Sequence, residues 1–430
     1  MLFSLIWDFS MLFPLFAGFL LFFAAAVRKG FSFREVLRFA SESLKDSFVV
    51  IRILLLIGCL TGMWRLSGTV AYFVTLGISF IPPRFFLLAA FLLASAMSYA
   101  IGTSFGVTAT AGVILMSIAR AGGVVPVLAA GAVLSGVYVG DRGSPAASSA
   151  NLVAVLTHTD MRKNVRMMLR SSLIPFLLCC AAYTLLSLLT PMQAVGSEIT
   201  AQLGEEFILY WPCIIPAVLM IFLPFLGLGI QLSMLVSLAV SALVALFVQK
   251  AGMIACFRSM IFGYHAVNPQ LSDMLSGGGI VSMLEVCAIL VISCSYGGIF
   301  QRTGMLDSVN QKLQQLSGKI GRFSTMLILA LGVCAVFCNQ TIGAIMQNNL
   351  SLKLYGETEE EKTAKMLDME NSVILLAGLV PWCIASSVPL AMMDAGISSL
   401  PFAFFLWFTP LWWLLRTGIQ YKKPSAASRC

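Results

Sequence analysis

Residues 140–152, GDRGSPAASSANL, place charged, small and helix-breaking residues in the middle of an apolar chain. Pro145 lacks a backbone N–H and clashes with the preceding turn, so it interrupts a helix and leaves carbonyl groups free. Asp141 and Arg142 stand just before this interruption. The stretch therefore predicts a broken helix whose half-helix ends point at one place.

The composition around this stretch is that of a membrane protein. Of the 430 residues, 59% are hydrophobic and 11% are charged, whereas soluble domains carry about 25% charged residues. The mean hydropathy is +0.92. Apolar runs such as Met11 to Val27 and Ile230 to Val248 approach the ~20 residues that span a bilayer core. The composition excludes a soluble enzyme, and the first run predicts a transmembrane helix rather than a signal peptide.

The net charge of +8 comes from 27 Lys and Arg against 19 Asp and Glu. Because cytoplasmic loops are rich in Lys and Arg, clustering of the basic residues assigns this excess to membrane topology and not to nucleic-acid binding. The loop at 193–206 has no Lys or Arg and is predicted to be external, while the C-terminus is predicted to be cytoplasmic at the cell membrane. The four basic clusters are Arg28, Lys29, Arg34, Arg38, Lys45 and Arg52; Arg162, Lys163, Arg166 and Arg170; Arg302, Lys312, Lys319 and Arg322; and Arg416, Lys422, Lys423 and Arg429.

An internal repeat appears when the chain is shifted on itself, without a gap, so that position 62 falls on position 298. GMWRLSG at 62–68 then coincides with GIFQRTG at 298–304, the pair at 103–104 with the pair at 339–340, and Pro145 with Pro381. The loop after the first motif has Arg84 alone, whereas the loop after the second has three basic residues, Lys312, Lys319 and Arg322, so the two halves are predicted to have opposite orientations. Inverted repeats with broken helices are typical of secondary transporters.

The fold predicted from these patterns is an all-α polytopic membrane protein. It has an inverted-topology repeat of about five helices each, with broken or re-entrant helices, and roughly 11–13 transmembrane segments on the ~20-residue criterion. The predicted units are 1–170 for the first repeat, 171–229 for two connecting helices, 230–397 for the second repeat, and 398–430 for a final helix and cytoplasmic tail.

Candidate ion or substrate ligands cluster at the breaks, because polar residues at membrane depth are costly and usually functional. Asp141 is the expected cation or proton ligand, and the alternative is that Asp141 and Arg142 form an interfacial loop pair. Glu370 is either a second titratable group or the cap of its helix, and Glu285 is a further coupling candidate. The other candidate ligands are Thr103, Ser104, Ser144, Ser148, Ser149, Asn151, Asn339, Gln340, Thr341 and Asn371.

Other chemistry finds little support in the sequence. Cys334 and Cys338 stand four apart, but no second pair of metal ligands accompanies them. HExxH, a phosphate loop and a Ser/His arrangement are absent from the sequence, which predicts no enzyme and no cofactor besides transported Na⁺ and H⁺. Arg65 and Arg84 are interpreted as residues that contact lipid head groups.

At GTSFGVTATAG (102–112) and GDRGSPAASSANL (140–152), continued by HTDMRKNVR (158–166), the chain resembles the NhaC-type sodium/proton antiporters of the ion transporter superfamily. The resemblance covers nearly the whole chain. It implies an inverted-repeat fold, sodium bound at the breaks of the two repeats, and exchange against protons or, in some members, of dicarboxylates against lactate. A homodimer is expected only by analogy with the superfamily.

The chain departs from this family at three acidic positions. The family commonly has an acid where this chain has Ser148, another in place of Asn339, and an acidic pair where this chain has Glu370 and Asn371. Two hypotheses follow. The first is a sodium/proton antiporter with a Na⁺ site near Asp141. The second is a coupled carrier of a small organic solute, an amino acid or carboxylate. In that carrier sodium still lies near Asp141, and the solute is hydrogen-bonded by Asn339, Gln340, Thr341, Asn371 and Arg142.

Overall fold

The computed structural model describes residues 12–192, 197–268, 271–272, 275–303 and 309–422. Gly304 of the second repeat motif, the first residues of the predicted external loop at 193–196, and the tail beyond residue 422 lie outside these ranges. Within them the chain forms helices and no strand. We number the helices α1 Leu12–Arg28, α2 Phe33–Leu66, α3 Thr69–Phe80, α4 Phe86–Ile101, α5 Ser104–Ala121, α6 Pro126–Gly143, α7 Ser148–Thr157, α8 Met161–Leu189, α9 Ser197–Glu206, α10 Ile215–Phe225, α11 Ile230–Phe247, α12 Met253–Phe262, α13 Ile280–Thr303, α14 Val309–Ile320, α15 Arg322–Phe337, α16 Gln340–Leu350, α17 Glu359–Glu370, α18 Val373–Leu376, α19 Ile384–Met392 and α20 Phe404–Lys422.

The lengths and hydropathies of these helices confirm an all-α polytopic membrane protein. Within the described ranges, four helices are long and apolar enough to cross a membrane: α4 with the 3₁₀ turn before it, α5, α8 and α11. Two bent pairs also qualify, with angles of 69° between 51–66 and 69–77 and of 51° between 359–379 and 384–392. Five shorter apolar helices have 10–17 residues. The total number of crossings and the opposite orientation of the repeats stay predictions.

The backbone repeats at the spacing predicted from the sequence. The shift that places position 62 on position 298 also places Phe86–Ile101, helix α4, on Arg322–Phe337, helix α15. Each of these helices is terminated by a residue in the left-handed region, Gly102 with φ 75° and Cys338 with φ 54°. The next residues, 103 and 339, are extended, and each side chain accepts a hydrogen bond from a backbone amide of the following helix. The first break of each repeat is thus a left-handed residue followed by an N-cap.

The second break also matches between the repeats. Helix α6 ends at Gly143, and the helical segment that corresponds to it ends at Leu379 with a 3₁₀ turn. Helices α7 and α19 then begin at positions that the same shift superimposes. After these two helices, His158 and Asp394 adopt the left-handed conformation, with φ of 54° and 51°. The match therefore extends to the conformation of single residues.

In each repeat a hydrogen bond connects the second break to the helix that precedes the first break. The Ser144 hydroxyl donates to the carbonyl of Tyr99 at 2.6 Å. In the second repeat, Nε1 of Trp382 donates to the carbonyl of Ala335 at 2.8 Å. Tyr99 and Ala335 are equivalent positions of the two repeats. These bonds hold the two breaks of one repeat side by side.

Helices α4 and α6 pack at a glycine surface that positions the end of α6. A β-carbon at Gly136 would lie 2.6 Å from the Phe91 carbonyl oxygen, and one at Gly140 would overlap the backbone of Ser98. The Ser98 hydroxyl donates to the Val137 carbonyl across the same surface. Close approach through small residues is how membrane helices gain packing energy. It places the last turn of α6 against α4.

We expect Gly140→Ala to lower the free energy of unfolding by about 1–3 kcal/mol, because the added methyl meets backbone atoms that no side-chain rotation can move away. The measurement is thermal unfolding of the purified protein in detergent. The matched control is Gly332→Ala in α15, where a β-carbon would meet no atom within 4 Å. Alanine is a better helix former than glycine, so equal losses in both variants would contradict the packing argument.

Candidate functional site

The Asp141 carboxylate lies where the two repeats meet. Asp141 stands in the last turn of α6 and is 4% exposed. Gln340, the first residue of α16, donates from Nε2 to Asp141 Oδ2 at 3.0 Å and to the carbonyl of Ile374 at 2.9 Å. One side-chain amide thus connects the end of α6 in the first repeat to the first break and to helix α18 of the second. Asp141 and Gln340 were both predicted from the sequence, but not their contact.

Hydroxyl groups surround the same carboxylate. The side chains of Ser104 and Ser149 and the Ser104 backbone amide lie close to the Asp141 carboxylate and stabilise its charged form. The Ser149 hydroxyl also donates to the Asp141 carbonyl at 2.5 Å. Both serines lie in the first turn of a helix that follows a break. Carboxylate, hydroxyl and unwound carbonyl oxygens are the groups that hold Na⁺ in transporters built from broken helices.

Arg142 lies on the other side of the α6 terminus and is 1% exposed. Its Nη1 donates to the Met168 carbonyl at 3.0 Å, and its Nη2 donates to Ser171 Oγ and to Asn371 Oδ1, each at 2.7 Å. Asp141 and Arg142 are both buried in the last turn of α6, whereas the alternative predicted a pair in an interfacial loop. Arg142 connects α6 to α8 and to the end of α17, and it does not contact Asp141 as an ion pair within the described part of the chain.

Glu370 is the electrostatic partner of Arg142. It is the last residue of α17 and is 1% exposed. The charges of Arg142 and Asp141 both act on it. Its Oε2 atom and Nδ2 of Asn371 are buried and have no hydrogen-bond partner among the described residues. The buried centre therefore has two carboxyl groups, one guanidinium and unused hydrogen-bonding capacity.

The other predicted ligands lie at the edge of this centre or away from it. Thr103 and Asn339 are half-buried N-caps, and Ser144 is held by Tyr99. Asn151 is exposed and donates to two backbone carbonyls of its own break. The remaining predicted residues, whose side chains are exposed, are Ser148, Thr341 and Glu285.

Sequence reasoning missed three polar residues, of which Ser171 and Tyr138 adjoin the centre and Arg120 lies away from it. Ser171 on α8 accepts from Arg142, and Tyr138, one turn before Asp141, donates to the Ala385 carbonyl at 2.7 Å. Arg120, in the last turn of α5, bonds to Asp394. Arg120 had a signal in the sequence, since it is the only basic residue between Arg84 and Arg142. Nothing in the sequence distinguished Ser171 or Tyr138 from other membrane-embedded polar residues.

The sequence of this chain matches the model of one known protein family over most of its length. The model of the family described as "Na+/H+ antiporter family" matches residues 3–150 and 136–415. The Na(+)/H(+) antiporter NhaC of Alkalihalophilus pseudofirmus is 26% identical over 382 residues, which cover 87% of this chain and 82% of that protein.

Two similar proteins have other substrates in their names. The malate-2H(+)/Na(+)-lactate antiporter of Bacillus subtilis is 24% identical over 414 residues, 95% of this chain and 88% of that protein. The arginine/ornithine antiporter ArcD of Halobacterium salinarum is 24% identical over 367 residues, 82% of this chain and 75% of that protein. All three similarities extend over both repeats, so they concern the whole transport domain.

Proposed function

Because this chain belongs to the Na⁺/H⁺ antiporter family, we infer that it is a secondary active transporter that exchanges Na⁺ for H⁺ by alternating access. The observation that carries the inference is the buried Asp141 carboxylate, which ends a broken helix of one repeat and accepts a hydrogen bond from Gln340 of the other. A site shared by two repeats is exposed to one side or the other when the repeats move relative to each other.

Exchange follows from competition at one carboxylate. As an anion, Asp141 attracts Na⁺, and the hydroxyls of Ser104 and Ser149 supply further oxygen ligands. Protonation of Asp141 removes the negative charge and releases the cation. The Gln340 amide can donate to the carboxyl group in either state, while a serine hydroxyl accepts from the protonated form. Because the carboxyl group holds either Na⁺ or a proton, each crossing moves one and the return moves the other.

Arg142 and Glu370 have a supporting role in this proposal. Arg142 is held by three oxygen atoms from α8 and the end of α17, so it fixes the end of α6 on which Asp141 stands. The carboxylate of Glu370 compensates the buried positive charge of Arg142, and the charge of Asp141 also acts on Glu370. A proton or cation bound at Asp141 therefore also changes the electrostatic energy of Glu370. We assign no catalytic activity to this centre.

The location of the chain in the cell is also part of the proposal. The family and the apolar helices make this a membrane protein. From the basic clusters we propose the cell membrane, with the C-terminus cytoplasmic and the 193–206 loop external. Contact with lipid follows from this placement, and a homodimer remains an expectation by analogy.

Coupled transport of a small organic solute is the second candidate function. Serine and asparagine replace family acids at Ser148, Asn339 and Asn371, which leaves fewer proton-carrying groups and more neutral hydrogen-bonding groups. Relatives named for malate and lactate and for arginine and ornithine fit this variant. In it, solute flux would continue without a pH gradient.

The test is a transport assay on the full chain in proteoliposomes that contain a pH-sensitive dye. We expect an imposed Na⁺ gradient to move protons in the opposite direction, and K⁺ at the same concentration to move few. Protein-free liposomes give the background. Proton movement at the background level would contradict sodium/proton exchange, and uptake of labelled malate, lactate or arginine driven by Na⁺ at constant pH would then support the second candidate.

A further inference from the structure

A second cluster of charged groups surrounds a cavity that includes none of the residues around Asp141. The cavity has a volume of about 540 Å³ and lies between α5, the start of α6, the segment before α13 and the turn after α19. This volume is within the ~300–1,000 Å³ of small-molecule sites. Its lining residues are Arg120, Pro126, His265, Ser272, Ser276, Gly277 and Asp394.

A glycine loop separates this cavity from a second arginine, Arg65, which lies directly behind the lining residue Gly277. Gly277, Gly278 and Gly279 all have positive φ, of 121°, 77° and 85°. The Gly279 amide donates to the Gly58 carbonyl of α2 at 2.8 Å. A β-carbon at Gly278 would lie 2.9 Å from Nη1 of Arg65, and one at Gly277 would lie 3.6 Å from Nη2. Only glycine allows this backbone to pass directly over the Arg65 guanidinium.

The Arg65 guanidinium is buried without a matching anion among the described residues. Arg65 is 3% exposed, and its Nε atom is buried and has no hydrogen-bond partner in that part of the chain. The charges that act on it are those of Arg120 and Asp394. Burial also contradicts the interpretation of Arg65 as a residue that contacts lipid head groups. An uncompensated charge in this position is costly unless a ligand pairs with it.

The Asp394 carboxylate already forms an ion pair with Arg120. Arg120 Nη2 donates to the Asp394 carbonyl at 2.7 Å and to its Oδ2 at 3.2 Å, and the Asp394 side chain is 72% exposed. The guanidinium groups of Arg120 at the cavity wall and of Arg65 behind it face one described carboxylate, that of Asp394. Among the described residues, these two positive charges exceed that single negative charge by one, and Ser272 and Ser276 add hydroxyl groups to the wall.

We propose that this cavity binds a small organic carboxylate, with Arg120 as the cationic group of its wall and Arg65 as a buried positive charge directly behind the wall at Gly277. A carboxylate fits because its two oxygens match the planar donors of a guanidinium, and because one charge neutralises the excess. The proposal does not depend on sodium/proton exchange, since none of these residues belongs to the Asp141 centre.

The experiment is equilibrium dialysis of the purified full-length protein with radiolabelled lactate, at constant pH and ionic strength. We expect saturable binding that acetate competes for. Arg65→Gln removes the charge but keeps hydrogen-bonding capacity, and we expect it to raise the Kd about tenfold or more. Arg84→Gln is the matched control, because Arg84 is exposed and outside the cavity; it should bind lactate like the native chain.

Several results would overturn the proposal. These are the absence of saturable lactate or acetate binding, equal binding by folded Arg65→Gln, and displacement of lactate by chloride or phosphate at equal concentration, which would indicate an inorganic anion site. If Arg65→Gln does not fold, Arg120→Gln takes its place, and native affinity in that variant overturns the proposal. Asp141→Asn should bind lactate normally, which separates this site from the transport centre.

Discussion

Asp141→Asn is expected to reduce Na⁺-driven proton movement to the level of protein-free liposomes. The substitution keeps the size of the side chain and its ability to accept the hydrogen bond from Gln340 Nε2. It removes the negative charge that attracts Na⁺ and the group that exchanges a proton. Since both halves of the proposed cycle need that group, the loss should be complete rather than a change in apparent affinity. The measurement is the pH-dye assay with an imposed Na⁺ gradient.

The matched control for Asp141→Asn is Asp160→Asn. Asp160 is exposed and caps α8 by accepting from the Lys163 amide at 3.0 Å, and asparagine caps a helix equally well. This variant should exchange Na⁺ for H⁺ like the native chain. Size-exclusion chromatography verifies that both variants fold. Native exchange rates in folded Asp141→Asn would show that another carboxyl group carries the ions.

Arg142→Gln is expected to lower the free energy of unfolding by about 2–3 kcal/mol, because it removes charge-assisted hydrogen bonds to Met168, Ser171 and Asn371 inside the protein. The variant leaves the buried Glu370 without its positive neighbour and removes donors from Ser171 and Asn371. Because Arg142 adjoins Asp141, we also expect it to impair exchange. Chemical unfolding in detergent micelles measures the first effect, and the proteoliposome assay measures the second.

A double-mutant cycle with Glu370→Gln tests whether charge pairing is the cause. The double variant should recover part of the stability lost in Arg142→Gln, because residue 370 then carries no charge that lacks a positive neighbour. The comparison variant is Arg322→Gln, which breaks an exposed ion pair with Glu361 and should cost no more than about 1 kcal/mol. Equal stability losses for Arg142→Gln in the presence and absence of Glu370 would contradict the pairing.

Much of the fold could be predicted from the sequence, because apolar run length, basic clusters and helix-breaking residues act locally. The repeat was found from three coincidences of polar and breaking residues, and the structure repeats at the same spacing down to single backbone conformations. Helix limits were less predictable. Helix α8 begins at Met161, ahead of the predicted boundary at residue 171, since a basic amphipathic turn can continue a membrane helix into the interface.

The candidate site was predictable in its members but not in its pairings. Asp141, Ser104 and Gln340 could be predicted as site residues because each is polar and stands at a helix break within an apolar stretch of sequence. That Gln340 reaches Asp141 depends on how the repeats pack, and sequence spacing contains no such distance. The Arg65 cavity was missed for the same reason: an arginine near a helix end is usually interfacial, and its burial depends on a glycine loop in the other half of the chain.

The residues that end α4 and α15 differ in the energetic cost of their left-handed backbone, and this difference bears on the two states of the carrier. Gly102 adopts the left-handed conformation freely, whereas for Cys338 it costs roughly 1–2 kcal/mol. In a carrier with inverted repeats, each repeat adopts in one state the conformation that the other repeat adopts in the other state. Two identical repeats would therefore make the inward-open and outward-open states equal in energy. Any change in this strain during the cycle falls on the second repeat alone. A difference of about 1.4 kcal/mol between the two states is roughly a tenfold preference, so a change of this size in the Cys338 strain during the cycle would favour one state before any ion binds.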